Sequence, residues 1–539
     1  MHNMIEQWKK NRNIRYPMLF IAIGYFVNLF YVHVNGWNLL NSDASSELVL
    51  SKLLNQTGGI MTKQWFYSSE LRVVNTQLIY KLGFFLFPDQ WHRVRLFAMA
   101  IFMLLFIASC LYMVWACELG KSGLWCVAAL IWPFGQWYAW NVIYCSYYIP
   151  HIVFSFLSIG LFFRIIKSRG KRKYLQVALL AIVGLIAGLN GSRQFMICYV
   201  PLCLSVGTAI IISLRGSLPV TLATYKSSGL EKKAIFPSIL LLLAGGAGYL
   251  VNTKIFAGIY HFANQNDTTW QPFLITRICD RLADFIGLYG WQPFVPIMSI
   301  KGVVNVIGLI IGLSILYALL WSVYHLNKLK FTEQILTLFV LYGILLNGLV
   351  FSESSVYNAS YWVPLLPFTF MILAVKTRAE KRQYDKSEKK IKIVVPKKGL
   401  AFMLAIIICS IFTMLSPYPN DVPDDRIIKP AAQWLEANGY TEGYASFWNS
   451  NIITELTNGK IEMWTVNDNF KTLEQYDWLQ KTSHSESSGQ PSGKFFILTV
   501  TGEISNASAE IQRHVVYTDK TYTIYSFDNL QEYTTLQAK

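Results

Sequence analysis

The sequence predicts a polytopic α-helical membrane protein of about eleven spans, followed by a small α/β domain outside the membrane. Three observations carry this. Of 539 residues 53% are hydrophobic and only 14% charged, a balance outside the range of ordinary soluble domains. Uncharged apolar stretches of membrane length recur as far as Leu415. Beyond them a Pro- and Asp-rich linker, Ser416 to Asp425, opens a polar tail.

The spans read as Met18–Val34, Leu96–Cys117, Leu124–Tyr144, Ile149–Phe163, Tyr174–Leu189, Phe195–Leu214, Ala234–Val251, Val303–Val323, Ile335–Phe351, Tyr361–Val375 and Leu400–Leu415. None contains Asp or Glu, which argues against an ion-coupled transporter, since such proteins place ionisable groups near the midplane. The first span follows a basic segment but lacks a small-residue cleavage site, so it reads as a retained helix. With the N-terminus in the cytoplasm, inner segments hold 27 Lys and Arg against 7 Asp and Glu, and outer loops 11 against 8. This asymmetry selects that orientation, and an odd number of spans exports the tail. The tail carries 16 acidic and 9 basic residues. The formal charge of +16 is therefore a membrane-anchoring bias spread over short inner loops, with no basic domain for nucleic acid. Of eight cysteines none falls in the tail, and neither a disulfide framework nor zinc-finger spacing is present.

The membrane domain, 1–416, opens with a long outer loop, 35–95. Leu48, Val49, Leu53 and Leu54 share one helical face over Ser45–Leu54; Leu71, Val74, Leu78, Leu82 and Phe85 repeat the spacing. Both predict helices lying in the membrane interface, with a turn at Gly58-Gly59 and an aromatic cluster, Trp65-Phe66-Tyr67, at headgroup level. The extracytoplasmic domain, 417–539, reads as helix Ile428–Ala437, strand Gly443–Phe447, helix Asn449–Leu456, strand Ile461–Val466 and helix Leu473–Lys481. Strands follow at Lys494–Thr501, His514–Thr518 and Thr521–Phe527, after a polar loop, Thr482–Gly493, that reads as flexible.

Outside the tail the outer acids are Asp43, Glu47, Glu70, Asp89, Asp267, Asp280, Asp284 and Glu353. Asp43 stands nine residues past the first span, where a carboxylate at a lipid surface is costly unless it has a partner or a task. By its position alone Asp43 is equally a cap for a helix starting at Ala44. Glu47, one turn on, reads as a solvated or supporting residue, and Glu70 as a favourable first-turn charge.

Several short stretches resemble the GT-C polyprenyl-phosphate-sugar glycosyltransferases, in particular bacterial relatives of protein O-mannosyltransferases and aminoarabinose transferases (glycosyltransferase family 39-like). They are Asn41–Glu47, Trp65–Arg72, Gly191-Ser192-Arg193, Tyr361-Trp362-Val363-Pro364 and, in the tail, Gly443–Trp448. The resemblance implies a GT-C-like cell-envelope enzyme that transfers a hexose or pentose, with inversion, from a polyprenyl-phosphate donor to a hydroxyl outside the membrane. One first-loop carboxylate then takes the acceptor proton. The departing phosphate needs cations more than an acid, so paired carboxylates at hydrolase spacing are unnecessary. Position by position, Asp43 matches the base and Glu70 the later acid of the loop that binds a divalent metal in some relatives. Arg72 and Arg193 are candidates for the donor phosphate, with Arg93 and Arg95 next. The outer loops lack a D-x-D, and Ser360 stands where many relatives carry Arg before Tyr-x-x-Pro.

Of eight histidines, His33, His92, His151 and His261 fall at outer helix ends or loops. They are possible partners of Glu70 around a metal, His261 foremost, or interfacial residues bonded to backbone and headgroups. Arg193 either meets phosphate or snorkels to the headgroups. Arg277, Asp280, Arg281 and Asp284 read as paired charges on an interfacial helix, Gly308 and Gly312 as helix packing, and Tyr147, Tyr148, Trp137 and Trp140 as interface anchors. The alternative to an enzyme is a non-catalytic lipid-binding or lipid-translocating membrane protein on the same scaffold. Acceptor glycan, wall polymer and protein hydroxyls all remain open.

Overall fold

A computed structural model describes residues 12–40, 42–68, 71–215, 230–262, 269–386, 395–416, 428–467, 470, 472–501 and 509–537. Among them nine helices are long and apolar enough to cross a membrane. Two of the eleven expected spans differ. Leu124–Tyr144 is broken: helix α1, Gly120–Leu130, ends before Trp132-Pro133, Gly135 is extended, and a short helical stretch resumes at Gln136. Pro133 cannot donate a helical hydrogen bond, which explains the stop. Tyr174–Leu189 forms α2, Lys171–Gly188, whose first turn holds three cations, Lys171, Arg172 and Lys173, so its full length is more charged than a spanning helix.

The chain divides into two compact units: Met1–Leu29, Phe102–Asn252 and Asp267–Val422 in one, Phe30–Ile101, Thr253–Asn266 and Pro423–Lys539 in the other. The first outer loop therefore groups with the tail, across the boundary read at residue 416. In the first unit α2 packs against α3, Leu230–Leu250, through facing glycines. A Cβ at Gly188 would lie 2.1 Å from the Gly245 carbonyl oxygen, and one at Gly248 2.1 Å from that of Leu185. Small residues are what permit this approach. Gly308 and Gly312 of α4, Ile300–Tyr324, serve a loop instead, against the Gly290-Trp291 backbone and the Tyr289 ring. Helix α5, Ile275–Gly287, pairs Arg281 with Asp284 at 3.8 Å, while Arg277 lies 3.4 Å from Glu353 and Arg281 stacks over Tyr357.

In the second unit five strands form a sheet ordered β2-β1-β3-β5-β4: β1 is Glu442–Ser446, β2 Glu462–Val466, β3 Phe495–Val500, β4 Val515–Thr518 and β5 Tyr522–Phe527. The first three are parallel, and β5 is antiparallel to both its neighbours. The run Phe495-Phe-Ile-Leu498 is continuously apolar because both faces are covered. Phe496 and Leu498 join Leu40, Ile428, Leu435 and Ile453 on one side, and Phe495 and Ile497 join Tyr444, Trp464 and Tyr533 on the other. Leu40 of the first loop thus sits in a core otherwise made by the tail. Trp65-Phe66 also pairs antiparallel with Gln480-Lys481.

Two expectations for this unit are corrected. The helix expected at Leu473–Lys481 is a series of turns, with Leu473 and Leu479 buried at φ of 49°. Their side chains enter the core from a non-helical backbone. The loop Thr482–Gly493 is pinned: Tyr444 Oη donates to Gln490 Oε1 at 2.5 Å and Trp464 Nε1 to the Gly489 carbonyl at 3.0 Å.

Candidate active site

The first-loop helix, α6, runs Ser42–Thr57 and is buried over most of its circumference, packed between α7, Gln77–Leu86, and α8, Phe447–Leu456. It is therefore a core helix of its unit and does not lay an open apolar face on the membrane surface. Only α7 leaves large apolar side chains exposed, at Leu82, Phe85 and Leu86. Since α6 already includes Ser42, Asp43 lies inside its first turn and is not the cap of a helix beginning at Ala44. The N-terminal dipole favours a negative charge there.

Asp43 and Glu47 share a face of α6 by their four-residue spacing. The irregular stretch before α7 brings Arg72 up to both. Its path is fixed by Gln77 Nε2, which donates to the carbonyls of Arg72 (2.7 Å) and Val73 (3.3 Å). Thr76 Oγ1 donates to Glu47 Oε2 at 2.8 Å. Glu47 is buried; Asp43 keeps partial access to solvent. Burial pushes the Asp43 carboxyl above the ordinary carboxylate range, and the Arg72 guanidinium draws it back. Burial does the same to Glu47, opposed by Arg72, Thr76 and the Gln77 backbone and reinforced by the charge of Asp43. The cluster is one polarised carboxyl pair sharing one guanidinium, with the more accessible member at the helix start.

Arg95 has a different occupation. Its Nε and one terminal nitrogen each lie 2.6 Å from an oxygen of Glu455 on α8, and that nitrogen also donates to the Ala44 carbonyl at 3.3 Å. Both partners are almost wholly buried, at 4% and 1% side-chain exposure, so this cation is neutralised within the fold and withdrawn from the phosphate candidates. Arg93 points to solvent. Ser42 Oγ donates to the Phe447 carbonyl. The residues on both sides of Asp43 are therefore tied to α8, a connection that sequence spacing does not carry because Arg95 and Glu455 stand 360 residues apart.

Arg193 lies in the other unit. Its guanidinium stacks 5.0 Å from the Tyr148 ring and 5.3 Å from the Tyr361 ring. Tyr148 Oη also approaches Ser360 Oγ at 3.4 Å. Tyr148, taken as an interface anchor, is one wall of this cationic site.

The metal expectation finds no support in the arrangement. Glu70 lies outside the described residues. His261 offers its carbonyl to the Tyr67 N–H at 2.9 Å and its ring to Phe66. His92 stacks on Trp37 and bonds the His33 carbonyl at 3.1 Å, and the His151 carbonyl accepts from Gln194. Among the described residues no three His, Cys, Asp or Glu side chains gather as a metal site.

No family model and no curated protein matches the chain. Solved structures do. ArnT from Cupriavidus metallidurans bound to undecaprenyl phosphate superposes with a TM-score of 0.56 at 10% identity, over 94% of this chain and 97% of that one. Its apo state gives 0.51 at 10% identity, covering 96% and 99%. The Archaeoglobus fulgidus oligosaccharyltransferase tethered to an acceptor peptide gives 0.50 at 12% identity, over 92% of this chain and 70% of that one. The chain has the GT-C fold. With nine apolar helices among its described residues, the chain is a multi-pass membrane protein with a C-terminal domain. At such low identity the likeness carries the fold, and residue roles rest on the site itself.

Proposed function

We propose that the chain is an inverting glycosyltransferase that moves a sugar from a polyprenyl-phosphate donor to an acceptor hydroxyl on the outer face of the membrane, with Asp43 as general base. The observation that carries the reading is the Asp43–Arg72–Glu47 cluster on a GT-C fold: the carboxyl of a partly exposed residue, made more basic by burial and kept ionisable by one guanidinium. In the reaction Asp43 takes the acceptor's proton as its oxygen bonds the anomeric carbon. The bond from that carbon to the phosphate oxygen breaks with its electron pair on the phosphate. A base nearer in pKa to the working pH transfers protons more effectively.

Arg72, facing two carboxylates, orients Asp43 and sets its charge. Arg193, 5.0 Å from the Tyr148 ring and 5.3 Å from the Tyr361 ring, is the first candidate for a phosphate oxyanion. The planar fork of a guanidinium matches the geometry of phosphate oxygens, and Arg193 stands beside Tyr361, next to the Ser360 that occupies the place of an Arg in the family it resembles. Arg93 is second. The lipid-linked sugar is substrate, and the N-terminus is assigned to the cytoplasm and the tail to the outside from the basic-residue asymmetry. The test is turnover of a polyprenyl-phosphate sugar by purified protein. Asp43→Asn should abolish transfer while expression and lipid retention persist; full turnover by that variant would remove Asp43 as base.

A further inference from the structure

Four aromatic side chains gather at the start of α8. Phe447 packs edge-on to Trp448 (ring centroids 5.1 Å apart) and lies 6.4 Å from Tyr476, which stacks on Trp478 at 6.2 Å with 24° between the planes. Trp448 is 57% exposed, a large apolar surface to leave open next to a well-filled core. Tyr476 and Trp478 are half-buried.

The segment that carries Tyr476 and Trp478 is held in a costly shape. Leu473 and Leu479 bracket it, both at φ of 49°, a region bulky side chains avoid. Such strain persists only where surrounding structure over-determines it, and it clusters at ligand sites. Here the surroundings do so. The Tyr476 N–H donates to the Thr465 carbonyl at 3.0 Å, Gln480 Nε2 donates to the Tyr476 carbonyl at 2.7 Å, and Asn451 Nδ2 donates to the Leu479 carbonyl at 3.2 Å. The rings are therefore presented on a rigid frame and have not simply collapsed onto the surface.

The frame is coupled to the base. Ser42, immediately before Asp43, donates its hydroxyl to the carbonyl of Phe447, immediately before Trp448. One hydrogen bond thus joins the turn that carries the carboxylate to the turn that carries the exposed indole.

We infer that Trp448, Tyr476 and Trp478 form a stacking platform for a sugar ring of the acceptor, so that the acceptor hydroxyl belongs to a glycan. The inference rests on the reading of Asp43 as base and extends it to the substrate class. Aromatic faces carry negative charge density and attract the C–H face of a sugar ring, while the ring's hydroxyls need polar groups at the rim. Asp477, which separates Tyr476 from Trp478 in the sequence, accepts a hydrogen bond from Ser485 Oγ. That carboxylate, in a tail with 16 acidic residues against 9 basic, disfavours an anionic lipid headgroup and suits a neutral sugar.

The experiment is saturation-transfer NMR on the full-length protein in nanodiscs, with chitotetraose, mannotetraose and maltotetraose as separate probes and a Ser/Thr-rich tetrapeptide as control. At least one tetrasaccharide should bind. Trp448→Ala should weaken it by about fivefold or more, with Trp448→Phe retaining most of the affinity, Trp478→Ala weakened likewise, and the peptide inert. No binding by any tetrasaccharide, unchanged binding by Trp448→Ala, or preference for the peptide overturns the proposal. So does quenching of the Trp448-dependent emission by brominated phospholipid, which would make the cluster a bilayer anchor. Because binding needs neither donor nor turnover, its failure leaves the role of Asp43 to its own test, and loss of that role leaves this result readable.

Discussion

Asp43 combines partial access, burial that raises its pKa and one guanidinium that lowers it. A carboxyl whose folded pKa lies above its unfolded value stabilises the fold most at low pH, and that contribution is lost as pH rises through the folded value. At neutral pH the ionised form is therefore held at a cost. Asp43→Asn should lower kcat by about 10²- to 10⁴-fold while its unfolding midpoint at pH 7 is no lower than that of the unmodified chain. A variant that loses both activity and stability would mark Asp43 as structural. Arg72→Gln removes the charge that draws down both Asp43 and Glu47. The acid limb of kcat/KM against pH should move upward, and a limb that stays in place would remove Arg72 from control of the base. That Asp43 and Arg72 share one outer loop was legible in the sequence because both are local features, but Arg72 was expected at the donor phosphate and instead faces Asp43 and Glu47. Thr76 and Gln77, which hold Glu47 and the Arg72 backbone, were not legible, since neither residue type signals chemistry alone.

Between elements, the decisive contact joins α8 of the tail to the first turn of α6. Breaking a buried, forked ion pair leaves an uncompensated charge and costs about 3–5 kcal/mol, whereas replacing both partners by apolar residues of similar volume is often neutral. Glu455→Gln should therefore lower the thermal midpoint strongly, and Arg95→Met with Glu455→Leu should recover much of it; a neutral Glu455→Gln would show that the pair does not hold α6. The glycine contact between α2 and α3 is the second such point. A side chain at Gly188 or Gly248 would meet backbone oxygen at 2.1 Å, which only displacement of a helix relieves. Gly188→Val should reduce the monodisperse fraction on size-exclusion chromatography, and Gly207→Val, with open space around it, should not. The helices and strands of the tail were mostly visible in their periods. The stretch from Leu473 was not, because apolar spacing reports which residues are buried and is silent on the positive φ that gets them there.

For the whole molecule, hydropathy exposed the membrane helices because a bilayer imposes length and composition on each span independently. It could not expose the second compact unit, which is assembled from segments hundreds of residues apart and so leaves no local trace. Leu40 completes a core built by Ile428, Leu435, Ile453 and Phe496, Trp65-Phe66 pairs with Gln480-Lys481, and Arg95 finds its counter-charge on Glu455. A chain ending at Ser416 would strip all three partners from the first loop at once: an apolar side chain loses its core, a strand its hydrogen bonds and a buried guanidinium its carboxylate. The membrane helices, which satisfy their backbones internally, should still insert. Limited proteolysis of the truncated protein in nanodiscs should then cut rapidly within 42–86 and leave the later helices protected. In the full chain the same loop should resist cleavage under identical conditions. Equal protection of the loop in both proteins would mean that it folds without the tail, and the two would then be separate domains joined only through the membrane.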